Sequence, residues 1–229
     1  MTYSCSLLDR EALPVLPYAL AVSVPARGKA KHAMKHFLKV MERVDVRPLA
    51  DQIYMHPELW DQHSIRRDAP GSPHSQMSDI WVRFNDVTPF ELHGDYSRFS
   101  DPHIPVWYPA WEALPALKPI IYNLMAKVEG EMLGGVLITR IPPDCGIEPH
   151  KDKSWHVDYF DKFYLSIQSA PGAMFGCDHE GVREELNPIP GDVWRFDNRK
   201  LHWVRNDSVR DRITLIVCIH TERYRNYGV

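Results

Sequence analysis

The segment Gly146–His156, GIEPHKDKSWH, sets two histidines, an aspartate and two lysines directly behind the apolar run GGVLITRIPP. Imidazole nitrogens and carboxylate oxygens are metal ligands. Residues two apart on an extended chain point the same way, so a His-x-Asp at a strand end can offer two donors to one ion. A second histidine from a distant strand completes a two-histidine, one-carboxylate face. That donor set belongs to non-haem iron(II) oxygenases and leaves three positions open for cosubstrate and oxygen. The spacing occurs three times, at His93–Asp95, His150–Asp152 and His156–Asp158. A chain with 12 histidines meets such a short motif by chance, so context must select. His93 sits in an irregular segment with no strand before it, and His156 in a lysine- and aromatic-rich loop. His150 alone follows a strong strand through a Pro-Gly turn, LITRIPPDCGIEPH.

The downstream segment IPGDVWRFDNRKLHWVRNDSVRDRITLIVCI supplies the rest. It predicts a turn at Pro190–Gly191, a strand from Val193, the histidine His202, a polar turn, and a last strand opened by Arg212. The alternation set by Ile213 and Leu215 puts Arg212 with Thr214 on the opposite face. An inward guanidinium there suits a dicarboxylate, because its planar fork binds a carboxylate through two hydrogen bonds. Arg210, between Asp207 and Asp211, reads instead as part of a surface turn. Taken singly, His202 reads as a hydrogen-bonded strand histidine, Asp152 as a solvated turn residue and Arg212 as a surface ion pair. Their joint arrangement favours a metal site. Three rivals stay open: a cupin-type metal enzyme with no need of a dicarboxylate clamp, a non-catalytic binding module, and a zinc hydrolase, for which no general base is suitably spaced. His32 and His36, four apart on a predicted helix, are better read as part of a solvated basic face.

The elements that must position these residues follow from the rest of the chain. Its 229 residues are 44% hydrophobic and 25% charged, ordinary for a globular protein able to bury a core without disulfides. The net charge of −3 argues against a nucleic-acid-binding surface, which should be basic. The cysteines Cys5, Cys145, Cys177 and Cys218 form no C-x-x-C pair. With no leader-like start and no membrane-length apolar run, free thiols in a cytoplasmic protein are expected. Tyr18–Val24 reads as a strand. Gly28–Val44 reads as a helix with Ala33, Phe37, Val40 and Met41 on one face. Residues 56–75 and 85–109 read as irregular, Ile80–Phe84 as a strand, and a helix from near Pro119 should bury Ile120, Leu124 and Val128. The stretch IPVWYPAWEALP is expected to fill the core. Beyond residue 130, GGVLITRI, KFYLSIQS, AMFGC, DVWRFD, LHWVRN and RITLIVCIH are short strands between turn residues. The chain is therefore expected to form a single domain, 1–229. Residues 131–222 are its β-sandwich or barrel core, and a mixed helix and strand part, 1–130, packs on it.

From Gly134 to His220 the sequence resembles the aspartyl/asparaginyl β-hydroxylase branch of the 2-oxoglutarate, iron(II)-dependent oxygenases. The likeness rests on the Pro-His after the turn, on FDN…LHWVRN and on DRITLIV. It implies a mainly β fold with flanking helices (α+β) around a double-stranded β-helix, the jelly-roll of cupins. It implies iron ligation by His150 and His202, and a grip by Arg212, assisted by Thr139, on the distal carboxylate of 2-oxoglutarate. It places Lys162 and Tyr164 at the other carboxylate, where the family has an arginine and a histidine. The implied reaction hydroxylates an unactivated C–H bond, of an amino acid free or in a peptide, with O2 consumed and succinate and CO2 released. The vertebrate type has glycine two residues after the first histidine. This chain has Asp152, which restores the carboxylate ligand and argues against a halogenase, where that position is vacant for halide. Lys153, Trp155 and His156 are the candidates to touch substrate, and Arg83 reads either as a contact to a substrate carboxylate or, at least as well, as a structural ion pair.

Overall fold

The computed structural model of the protein describes residues 34–69 and 71–222. In chain order the elements are β1 (Phe37–Met41), α1 (Arg47–Met55), α2 (Ile65–Asp68), β2 (Ser78–Phe84), α3 (Thr88–His93), β3 (Val106–Trp107), α4 (Ala110–Ala113) and α5 (Leu117–Val128). Then come β4 (Met132–Ile141), β5 (Cys145–His150), α6 (Trp155–Tyr159), β6 (Asp161–Gln168), β7 (Ala173–His179), β8 (Val182–Leu186), β9 (Val193–Phe196), β10 (Leu201–Asn206) and β11 (Arg212–His220). The strands form a seven-stranded sheet, β1-β9-β6-β11-β4-β2-β3, and a four-stranded sheet, β5-β10-β7-β8. From β4 onward the chain deals β4, β6, β9 and β11 to the large sheet and β5, β7, β8 and β10 to the small one. All pairings are antiparallel. This interleaving is the jelly-roll, a double-stranded β-helix.

Period-two alternation divides the large sheet into two chemically different faces. Val136 and Ile138 of β4, Phe163 and Leu165 of β6, and Leu215 and Val217 of β11 pack with Leu49 and Ile53 of α1 and Leu117, Ile121 and Leu124 of α5. The opposite residues of the same strands, Thr139, Lys162, Tyr164, Arg212 and Thr214, line a cavity together with residues of the small sheet. A second apolar cluster, with Phe37, Ile141, Phe175, Phe196 and Val204, joins the two sheets. As expected, α5 buries Ile120, Leu124 and Val128.

Several expectations need correction. Phe37–Met41 is a strand, not part of a helix: β1 pairs with β9, Phe37 opposite Phe196, and the Phe37 ring packs against Phe175 and Phe196 at 5.1 Å from each. Sheet pairing and aromatic burial override the helical spacing. The rest of the expected helix through Ala33, including His32, lies outside the described residues, as do Tyr18–Val24 and Cys5. The loop assigned to His156 holds the single turn α6, so His156 and Asp158 do not share a face as they would on a strand. β5 and β8 carry too few apolar residues to read as strands. β5 even contains Pro149, tolerated because it lies at the sheet edge. The aromatic stretch is not all core: Trp107 is 44% exposed and stacks on Trp111. Among the described residues, Cys145, Cys177 and Cys218 are free thiols, and no helix is long and apolar enough to cross a membrane.

Candidate metal centre

Register brings the two histidines together. His150 ends β5 directly opposite His202 on β10, with ring centroids 4.3 Å apart. Asp152 follows His150, its backbone N–H held by the Asn198 carbonyl at 3.0 Å. One ligand atom from each of His150, Asp152 and His202 lies within 4.8 Å of the other two. The Nδ1 of His150 bonds the Glu148 carbonyl at 2.7 Å, and that of His202 the Lys200 carbonyl at 2.9 Å. A carbonyl only accepts, so in both rings Nδ1 carries the proton and Nε2 presents a lone pair. The buried Nε2 of His150 has no hydrogen-bond partner, although Asp152 Oδ1 lies 3.3 Å away. Two acceptors facing each other at that distance suit a cation between them.

Charge is arranged to match. Burial, with a smaller effect from neighbouring His150, pulls His202 down to about 4, so it is neutral at pH 7. Burial opposes ionisation of Asp152, but the Lys162 ammonium, together with His150 and His202, outweighs it and holds the carboxyl well below the usual carboxylate range. The Lys162 Nζ–Asp152 Oδ2 distance is 2.5 Å. Burial likewise works against the charge on Lys162, and Asp152 overcomes it, raising the ammonium above its ordinary value.

Two chambers meet at this face. The inner, of about 70 Å³, is lined by Thr139, Tyr164, Arg212 and Thr214 as well as the three donors. Arg212 is 4% exposed, its Nε has no partner, and its guanidinium lies over the Phe175 ring at 5.9 Å. Burial lowers it to about 10, still fully charged at neutral pH. Thr139 stands across from Thr214 on β11. The outer chamber, of about 260 Å³, is lined by Trp155, His156, Lys153, His103, Arg66 and His74 among others, and shares Asp152 and Lys162 with the inner one.

The structure therefore gathers nine of the ten sequence-derived candidates, with Lys153 beside them. Lys162 and Tyr164 reach the inner chamber but are engaged within the protein: Lys162 with Asp152, and the Tyr164 hydroxyl donating to Asn198 Oδ1 at 2.8 Å. Arg83 is elsewhere. Its guanidinium donates to the carbonyls of Leu133 and Gly134 and covers Trp107 at 5.0 Å, so it ties β2 to β4 and β3 and is withdrawn as a substrate contact. His93 and Asp95 are exposed and line neither chamber. Among the lining residues that were not anticipated, three stand out. Arg66 is fixed by Asp79 at 2.6 Å, the His74 ring stands edge-on to His150 at 5.2 Å, and Asn198 bonds Asp152. The only signal for the first two was the histidine- and arginine-dense segment before β2. Asn198 stands in the FDN segment four residues before His202.

Comparison with known proteins agrees. No curated protein matches the chain in sequence. A prolyl-4-hydroxylase from Pseudomonas putida shares the fold at TM-score 0.52 and 13% identity, over 82% of this chain and 93% of that one. A Trichoplax adhaerens prolyl hydroxylase, solved with a hypoxia inducible factor peptide fragment, does so at TM-score 0.55 and 11% identity, over 83% and 86%. Residues 106–221, half of the chain, match the profile of the family described as aspartyl/asparaginyl beta-hydroxylase. With that match and a jelly-roll that assembles a His-Asp-His face, the protein belongs to the aspartyl/asparaginyl β-hydroxylase family and is an enzyme of the oxygenase, hydroxylase class.

Proposed function

We propose that the protein uses iron(II) and 2-oxoglutarate to hydroxylate an unactivated C–H bond of an amino acid, free or within a peptide. The carrying observation is Arg212, a buried guanidinium without an ion-pair partner among the described residues, which lines the small cavity that also holds the two histidines and Asp152. Both groups fit. Two histidine imidazoles and one carboxylate are the iron(II) donor set with open positions, and His150 Nε2 has no hydrogen-bond partner. Iron(II) and 2-oxoglutarate supply the oxidising chemistry: O2 is consumed, the keto acid loses CO2 to become succinate, and one oxygen atom ends as the substrate hydroxyl.

The chain's residues do the rest. His150, Asp152 and His202 hold the metal on one side. Arg212 grips the distal carboxylate of the keto acid through two hydrogen bonds, and the Thr139 hydroxyl lies in the same wall. Lys162, adjoining Asp152, adds positive potential where the second carboxylate sits. Tyr164 closes the wall with its hydroxyl proton already committed to Asn198. Trp155 and His156 bound the outer chamber, where a substrate side chain can approach the metal while the aromatic walls exclude water. A cupin-type enzyme working without 2-oxoglutarate has no use for a lone buried guanidinium, which favours the keto diacid.

The test is anaerobic addition of iron(II) and 2-oxoglutarate. A weak visible charge-transfer band should appear only with both present and should vanish in Arg212→Ala. Wild-type protein that binds iron(II) but neither develops the band nor retains 2-oxoglutarate refutes the assignment. Succinate release across a panel of free amino acids and short peptides then separates the two substrate sources.

A further inference from the structure

Asn198 lies in the turn between β9 and β10 and is 5% exposed. The turn is pinned by Asp197, whose carboxylate accepts from the Arg199 backbone N–H at 3.1 Å. Inside, three polar groups of Asn198 are used on the metal centre or its wall. Its Nδ2 donates to Asp152 Oδ2 at 3.0 Å, its Oδ1 accepts from the Tyr164 hydroxyl, and its backbone carbonyl accepts the Asp152 N–H. The orientation of the amide is dictated by chemistry: an ionised carboxylate only accepts, so the nitrogen must face Asp152 and the oxygen Tyr164. The Nδ2 also lies 3.4 Å from His202 Nε2, the long end of hydrogen-bonding range.

These contacts partition the two oxygens of Asp152. Oδ2 receives the Lys162 ammonium at 2.5 Å and the Asn198 amide at 3.0 Å. Oδ1 faces the lone pair of His150 at 3.3 Å. A carboxylate with both oxygens free can ligate through both and occupy a fourth position. One with Oδ2 saturated ligates through one.

We propose that Asn198 is a positioning residue of the metal centre. With Lys162 it saturates Oδ2 of Asp152, makes that carboxylate a single-oxygen ligand, and ties it to Tyr164 in the wall of the inner chamber. The inference rests on the reading of His150, Asp152 and His202 as a metal site. Serine or alanine at this position cannot reach both partners. Aspartate keeps the shape and the acceptor for Tyr164, but sets an oxygen that repels Asp152 where the N–H stood.

The probe is cobalt(II), a spectroscopic stand-in for iron(II), titrated into the full-length protein and into Asn198→Asp and Asn198→Ala. Loss of a residue that orients a metal ligand weakens metal binding about 10–100-fold, and both variants are expected to fall in that range. Their cobalt(II) d–d band should also lose intensity as the carboxylate turns to ligate through both oxygens, a signature that a merely structural residue would not move. The alanine variant carries the test if the aspartate variant does not fold. Variants that bind cobalt(II) with wild-type affinity and an unchanged band overturn the role of Asn198. Wild-type protein that binds no cobalt(II) overturns the metal reading itself, and the inference with it.

Discussion

Replacing Arg212 should separate binding from stability. The guanidinium is fully buried and burial has moved it from 12.5 to about 10. At about 1.4 kcal/mol for each unit, keeping it charged in the unliganded cavity costs on the order of 3 kcal/mol. No carboxylate among the described residues offsets that cost. Arg212→Met keeps much of the volume and removes the charge, so the metal-free variant should unfold at the wild-type temperature or a few degrees above it, as when a buried ionic group is replaced by a packed apolar one. The same change deletes the charged partner of the keto acid, a loss worth about 2–5 kcal/mol for a buried hydrogen-bonded pair. That corresponds to roughly 30- to 4000-fold weaker 2-oxoglutarate binding. Arg212→Lys should fall between, since an ammonium cannot make the two parallel hydrogen bonds. The assays are thermal unfolding of the metal-free protein and calorimetric titration of 2-oxoglutarate in the presence of manganese(II). If Arg212→Met melts far below wild type without ligand, the guanidinium holds the fold rather than a ligand and the reasoning fails. Unchanged 2-oxoglutarate affinity refutes it equally.

Asp152→Ala should abolish metal binding and, by leaving the Lys162 ammonium buried alone, destabilise the protein by about 3–5 kcal/mol. The double variant Asp152→Ala/Lys162→Met should recover most of that stability and none of the metal binding, as denaturant melts and cobalt(II) titration will show. Acid should loosen the metal-free protein from about pH 6.5 downward. Burial depresses His202 to about 4 and both His74 and His156 to about 3. The unfolded chain therefore binds more protons across that window, and stability rises with pH through it. The slope approaches about 1.4 kcal/mol per pH unit for each histidine, and a flat stability profile between pH 4 and 6.5 contradicts it. Trp155→Ala should raise the substrate KM and leave 2-oxoglutarate affinity within about twofold of wild type, because Trp155 lines the outer chamber and not the inner one; equal loss of both places it in the inner site. Gly176→Ala should destabilise by about 1–3 kcal/mol, as an added Cβ would meet the Trp203 indole at 2.1 Å.

The core strands are legible in the sequence because their buried faces are dense in β-branched and aromatic residues, and the alternation along β11 correctly puts Arg212 beside Thr214. β1 is not, because the pattern around Phe37 fits both periods and only the waiting edge of β9 decides between them. β5 is hidden for a different reason. It has one large apolar residue, Ile147, and forms because β10 offers it hydrogen bonds. Asn198 and Arg66 escape notice because their roles lie in whom they touch. Asparagine in a turn is ordinary, and an arginine in a charged loop reads as surface until Asp79 is seen beneath it. Arg83 errs in the opposite direction: a basic residue on a strand suggests a carboxylate partner, while its actual partners are two backbone carbonyls and an indole.

The polar stripe along the inner face of the large sheet is unfavourable for folding, since buried polar and charged groups need partners. Most of it is satisfied internally. Lys162, Asp152, Asn198 and Tyr164 form one chain of contacts in which donors and acceptors are matched. Among the groups left without a partner, two sets call for charged ligands. One is the lone pair of His150 with Oδ1 of Asp152, which call for a cation. The other is the Arg212 guanidinium, which calls for an anion. Both border the same 70 Å³ cavity. A folded core that completes one network and leaves these two unmatched describes its ligands by what it lacks: a metal ion, and a chelating molecule whose far end is negative. A small keto diacid meets that description, whereas a neutral ligand or a simple monoanion leaves one of the two buried groups without a partner.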